Sequence, residues 1–211
     1  ATGARRGLPN VPGAELSHVL TGDALRAVIT GEKDSGNRSL SALGKVIVAT
    51  GRTIGLLNSV DRIRSLSKTW MPVGKRVVVI GGGLVGLELA EFLAERGRKV
   101  TVLEEGPHMG LPMAMPRRWT AVIKATKHGA LLVRDASVVS IDKVSVRYRV
   151  GEDEFEARGD TVVVASQVEP DSKLADKLSG LGIRIQVVGD ALNVGYIEGA
   201  MHTAHEVARE L

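Results

Sequence analysis

RVVVIGGGLVGLELAEFLAERGRKVTVLEE, residues 76–105, decides the fold. Val77–Ile80 is an unbroken apolar run that ends in glycines, the pattern of a strand buried on both faces of a parallel sheet. From Leu84 the period changes. Leu84, Leu87, Ala90, Leu93 and Ala94 fall on one helical stripe, and Gly97 stops it. KVTVLEE then returns to strand character. Strand, helix and strand make a βαβ unit of about 30 residues, the length such a unit takes.

The turn between the first strand and the helix reads G-x-G-x-x-G, and each position has a physical task. Gly81 allows the sharp turn out of the strand. Gly82 lies within that turn. Gly83 has no side chain to hold the backbone away from a pyrophosphate. Leu84 and Val85 open the helix, whose first N–H groups lack carbonyl partners and carry partial positive charge, a ready anion site. Gly86 lets the helix approach the sheet closely. Glu104 ends the second strand, where a carboxylate accepts hydrogen bonds from both hydroxyls of an adenosine ribose and repels a 2′-phosphate. The pattern predicts NAD(H) rather than NADP(H). No Arg follows Glu104–Gly106 to take such a phosphate, and His108 offers it only weak help. Glu88, one turn into the helix, is either a surface carboxylate or a cofactor-side group. Glu105 reads as a solvated neighbour.

Outward from this unit the pattern predicts a helix over Pro116–His128 and short strands at Leu131–Val133, Ser137–Ile141, Val144–Val150, Glu154–Ala157 and Thr161–Ala165. The middle three read as antiparallel hairpins. A short helix follows at Ser172–Leu181 and a final one at Tyr196–Leu211. The fold class is α/β: a Rossmann-type three-layer dinucleotide-binding domain with a parallel sheet and a small antiparallel β insertion. Before the glycine motif, Pro9, Pro12 and Gly13 make the start turn-rich, and Asp23–Ile29 is at most a short helix. Ser39–Asn58 contains KVIVATG, which also reads as a buried strand, yet it carries Leu40, Leu43, Ile47, Thr50, Ile54 and Leu57 on one helical face despite its glycines. It is expected as a helix packed on a neighbouring domain, membrane-surface binding being the alternative, with a second helix at Ser59–Lys68.

Composition narrows the chemistry. Of 211 residues, 44% are hydrophobic and 25% charged, as in an ordinary folded protein. There is no cysteine, which excludes a thiol redox pair, a thiolate nucleophile and Cys-ligated metal centres within this chain. The net charge of +4 is spread thinly; Arg5-Arg6 and Arg117-Arg118 are only pairs, and no nucleic-acid site is expected. His202 and His205 stand three apart on the last helix but read as surface histidines, and no metal site is expected. The first residues lack the apolar centre of a signal peptide and no run is long enough to span a bilayer, so the cytoplasm is the default location.

GGGLVGLELAEFLAERGRKVTVLEE, residues 81–105, resembles the NAD-binding domain of the pyridine nucleotide–disulfide oxidoreductase superfamily. In that superfamily the NAD domain is inserted into an FAD domain. The resemblance implies that Ala1-Thr2-Gly3 is a crossover out of the FAD domain. ASQVEP, Ala165–Pro170, resembles the return crossover but departs from it at Ser166 and Gln167. VVGDAL, Val187–Leu192, resembles the strand ending in Gly-Asp at which the FAD domain resumes. Gly189 and Asp190 would then face FAD, with Asp190 on its ribityl chain. The implied organisation is 1–30 as FAD-domain remnant, 31–72 as helical insertion, 73–169 as NAD domain and 170–211 as the closing FAD-domain segment. LTGDALR and GDALNVGYIEGA point further to the NADH:flavin oxidoreductase and 2,4-dienoyl-CoA reductase group, whose members carry an FMN barrel and an iron–sulfur cluster. The implied partners are NADH and the FAD- and FMN-binding domains of a longer parent chain.

Three functions remain open on the sequence. The first is the NADH-binding portion of a flavoprotein oxidoreductase, in which hydride passes from nicotinamide C4 to flavin N5. That step needs alignment more than an acid or base, so no catalytic residue is assigned. The second is a nucleotide-binding module without redox chemistry. The third places FAD itself at Gly81–Gly86.

Overall fold

The computed structural model describes residues 3–22, 24, 25, 71, 73–166 and 168–210. The helices expected at Ser39–Asn58 and Ser59–Lys68 lie outside the described residues. In chain order the strands are β1 (Ala4–Arg6), β2 (Val19–Thr21), β3 (Arg76–Ile80), β4 (Lys99–Leu103), β5 (Leu131–Val133), β6 (Ala136–Ile141), β7 (Ser145–Val150), β8 (Asp153–Arg158), β9 (Thr161–Val164) and β10 (Val168–Pro170). The helices are α1 (Leu84–Ala94), α2 (Met115–Lys127), α3 (Lys173–Leu178) and α4 (Tyr196–Arg209). Two compact units result, one of residues 8–166 and one of residues 1–7 with 167–211.

In the larger unit the sheet order is β2-β9-β3-β4-β5, with every pairing parallel. Its valines explain it, because alternate residues serve opposite faces. Val77, Val79, Val102 and Val163 pack with Leu87, Ala90 and Leu93 of α1. Val78, Ile80, Val162 and Val164 pack on Ile141, Val146 and Tyr148 of an antiparallel sheet, order β6-β7-β8. The parallel sheet and the small antiparallel insertion are as expected, and the antiparallel sheet itself forms the layer opposite the helices. Both helices end as their glycines require. Gly97 (φ 73°) and Gly129 (φ 89°) adopt the left-handed conformation. The pairs Gly97 N–H to Ala94 O with Arg98 N–H to Leu93 O, and Gly129 N–H to Thr126 O with Ala130 N–H to Ala125 O, form two Schellman ends.

Three features differ from the sequence reading. β2 is an edge strand of the five-stranded sheet although its surroundings are turn-rich; Val19 and Leu20 are buried against β9, and Thr21 Oγ1 accepts from Ala24 N–H as a cap on the following turn. In the smaller unit β1, just after the Ala1-Thr2-Gly3 stretch read as one crossover, pairs antiparallel with β10, which lies within the Ala165–Pro170 stretch read as the other. The strand implied before Gly189-Asp190 is absent. Residues 183–188 form no ladder among the described residues, since a strand needs a neighbour for its N–H and C=O groups.

Candidate functional site

The glycine loop sits where the sheet reverses its winding. From β3 the chain proceeds through α1 to β4 on one side, while β9 lies on the other, so the crevice at the carboxyl ends of β3 and β9 is the switch point where α/β sheets bind ligands. Gly81 turns there at φ 104°, and a Cβ on it would lie 2.5 Å from Ser166 Cβ at the end of β9. Gly86 meets the strand so closely that a Cβ would come within 1.8 Å of Gly81 O. Gly83 differs. A Cβ there would meet only Leu111 O, at 3.2 Å, so the protein itself leaves that side of Gly83 largely open.

Leu87 is the first α1 residue whose N–H finds a carbonyl, Gly83 O at 3.0 Å. The N–H groups of Leu84, Val85 and Gly86 precede it, and among the described residues no side chain caps the helix. Three donors with the positive end of a helix dipole therefore converge beside Gly83, whose missing side chain the packing demands less than it does at Gly81, Gly82 or Gly86.

Glu104 stands across the loop. Its Oε2 accepts from Gly82 N–H at 2.6 Å and its Oε1 from Gly106 N–H at 2.9 Å. A carboxylate has about four lone-pair positions, so half remain for other donors. Met109 and Gly110, which the sequence reading did not single out, complete the loop. Gly110 N–H donates to Gly82 O at 2.7 Å, and a Cβ on Gly82 would lie 2.4 Å from Met109 Sδ. Pro107–Pro112 was legible only as a loop; its fold back over Gly82 was not. Glu88 lies apart in an exposed ion pair with Arg117, 3.1 Å, between α1 and α2.

At the start of β3, Arg76 Nε and Nη2 donate to Asp160 Oδ1 at 3.1 and 2.7 Å, and its backbone N–H donates to Oδ2 at 3.0 Å. These hydrogen bonds, chiefly that from the guanidinium, hold the Asp160 carboxyl below the usual carboxylate range. The pair fastens β3 to the turn entering β9 at the end of the sheet opposite the loop.

In the smaller unit Gly189 (φ 67°) opens a 3₁₀ turn, Gly189–Ala191, and its N–H donates to Thr203 Oγ1 at 2.8 Å. Asp190 Oδ1 accepts from Gly195 and Tyr196 N–H, each at 2.9 Å, and so caps α4; its Oδ2 has no partner among the described residues. The apolar stripe of α4 is bare, with Ile197 80% and Met201 70% exposed.

A family model described as pyridine nucleotide-disulphide oxidoreductase matches residues 1–191. An NADH oxidase of Thermoanaerobacter brockii is 34% identical over 140 residues, 65% of this chain and 21% of that protein. A bilirubin reductase of Mediterraneibacter gnavus is 33% identical over 130 residues, 62% of this chain and 20% of that protein. The chain thus spans about a fifth of the length of these relatives. A solved 2-naphthoyl-CoA reductase complex shares the fold, with TM-score 0.65 at 21% identity over 100% of this chain and 26% of that one. With the match extending from the first β-strand through the Gly-Asp turn, the chain belongs to the pyridine nucleotide-disulphide oxidoreductase family, whose members use NAD(P)H and FAD.

Proposed function

We propose that this chain binds NAD(H) at Gly81–Gly86 and Glu104 and forms the nucleotide-binding part of an NADH-dependent flavoprotein of the NADH:flavin oxidoreductase and 2,4-dienoyl-CoA reductase group. The observation that carries the reading is the opening at Gly83 beside the N–H groups of Leu84, Val85 and Gly86, which have no partner among the described residues. An anion of pyrophosphate type fits that cradle. Glu104, held by Gly82 and Gly106, is oriented to accept from a ribose diol. When bound, the reduced nicotinamide supplies a hydride; the residues here fix the nucleotide's phosphates and ribose and so set where that hydride is presented.

The smaller unit supports a role beside FAD. Asp190 Oδ2 has no partner among the described residues, and Leu174, Leu178, Val187 and Ile197 line an apolar cavity of about 700 Å³. Leu181, Ile183, Leu192 and Met201 are more than half exposed in the same unit, an apolar area that suits cover by further domains of a longer protein. This chain has no cysteine with which to ligate the iron–sulfur cluster of the resembling group. Calorimetric titration with NADH and NADPH tests the proposal. Saturable binding with NADH the tighter ligand is expected; absence of NADH binding, or tighter NADPH, contradicts it.

A further inference from the structure

Two carboxylates and an imidazole from separate parts of the chain meet where α1 packs on α2, at the end of α1 remote from the glycine loop. Glu91 and Glu95 stand four residues apart and so share one face of α1, with Glu95 as its C-cap. His128 is the C-cap of α2. One ligand atom from each of the three lies within 4.8 Å of the others. The side chains of Glu91, Glu95 and His128 are 22%, 42% and 36% exposed, so an ion has a path in.

The spacing is near that of a tetrahedral centre with oxygen and nitrogen ligands. With metal–ligand bonds of about 2.0–2.2 Å, neighbouring ligand atoms stand roughly 3.3–3.6 Å apart. His128 Nε2 and Glu95 Oε1 are already 3.6 Å apart. Glu91 has to close by no more than about 1 Å to complete the triangle. The remaining carboxylate oxygens are held as those of metal ligands are. Arg96 Nη1 lies 3.4 Å from Glu95 Oε2, leaving Oε1 towards His128. Lys124 Nζ lies 3.5 Å from Glu91 Oε1, leaving Oε2 without a partner among the described residues. Arg96 is itself fixed, donating to Phe92 O at 2.9 Å and stacking 3.6 Å over the Phe92 ring.

Helix electrostatics favour a cation at the same point. Both helices end there, so the negative ends of two dipoles face the three side chains. α1 carries Glu91 in its last turn and Glu95 at its cap, with no basic residue in that turn, the reverse of what its dipole favours.

We propose that Glu91, Glu95 and His128 bind a divalent transition cation of the zinc class, with water completing its shell, and that the ion staples α1 to α2. An imidazole with two carboxylates suits Zn²⁺, whereas Mg²⁺ and Ca²⁺ take oxygen ligands. Because the ligands come together only in the folded chain, binding appears as added stability.

The full 211-residue chain, freed of metal by a chelator, is titrated calorimetrically with Zn²⁺, Mg²⁺ and Ca²⁺ and melted with and without each. H128Q, E91Q and the double variant H202Q/H205Q run alongside, the last because those two histidines stand three apart on α4. One Zn²⁺ per chain is expected. Tm should rise by about 5–10 °C at a free Zn²⁺ concentration about a hundred times the Kd. H128Q and E91Q should each weaken Zn²⁺ binding by about tenfold or more, and H202Q/H205Q should stay within about twofold of wild type. Unfolding curves of the metal-free variants establish that they are folded, and E91Q carries the test if H128Q is not. The proposal is overturned if Zn²⁺ does not bind saturably, or if Mg²⁺ or Ca²⁺ binds as tightly. It is equally overturned if Zn²⁺ binding survives in folded H128Q or E91Q, or is lost in H202Q/H205Q.

Discussion

Glu104 and Gly82 are joined by a 2.6 Å hydrogen bond, the Gly82 N–H donating to Oε2, so the acid at the end of β4 and the middle glycine of the loop act as one piece. Glu104→Ala removes the acceptor for both Gly82 and Gly106. Leaving these part-buried donors unpaired is expected to cost about 1–2 kcal/mol, lowering Tm by about 2–4 °C for each kcal/mol in a chain of this size. NADH affinity should fall about tenfold or more, and the gap between NADH and NADPH should narrow, because the repelling carboxylate is gone. An unchanged nucleotide preference would mean that Glu104 does not read the ribose.

Two glycines of the motif should separate packing from binding. A methyl group at Gly86 would lie 1.8 Å from Gly81 O, backbone against backbone with nothing flexible to yield. Gly86→Ala is therefore expected to destabilise the fold by about 3 kcal/mol or more, because α1 must lift off β3. Gly83→Ala meets only Leu111 O at 3.2 Å and should change stability little. Chemical denaturation of the two variants checks this; equal losses would contradict the distinction drawn between them.

Much of this was legible because a βαβ unit is local. Glycine spacing, helix stripe and terminal acid lie within residues 76–105, and each is forced by a contact only a few turns away. Helix α2 and strands β5 to β9 fell within about one or two residues of their expected limits, as pattern arguments allow. What was missed is non-local. β2 reads as a turn-rich stretch until Val19 is set beside Val162, and β1 is three residues long with its partner at Val168–Pro170. The bond from Glu104 N–H to Val133 O depends on which strand neighbours β4, which periodicity does not reveal. The glycine at 189 and acid at 190 were legible as a motif, but their use in capping α4 through Gly195 and Tyr196 was not.

The Arg76–Asp160 pair makes an acid-side prediction. The folded carboxyl titrates below the ordinary carboxylate value of about 3.9, so its contribution is full above that pH and is lost as pH falls through the lower folded value. Asp160→Asn should lower stability at neutral pH and flatten the loss of stability below about pH 4. Denaturation midpoints of wild type and variant between neutral and acid pH measure it, and parallel profiles would count against the pair.

The chain alone is expected to show no NADH oxidase or reductase turnover above a free-flavin blank. Hydride transfer requires an acceptor held roughly 3–3.5 Å from the nicotinamide, and this chain has no cysteine to take electrons and a bare apolar area around its Gly-Asp turn. The assay supplies NADH, FAD and a dye acceptor. Saturable turnover well above the blank would show that Gly189 and Asp190 assemble a working flavin site without further domains.

The most direct measurement is calorimetric titration of NADH into wild-type chain and Gly83→Val, with unfolding curves alongside. The Cβ of a valine there meets only Leu111 O among the described protein atoms, and the side chain would compete for the space assigned to the pyrophosphate. The account predicts saturable binding to the wild type and none to a Gly83→Val chain that is still folded. NADH binding of equal affinity in both would place the ligand elsewhere and contradict the assignment of the glycine loop.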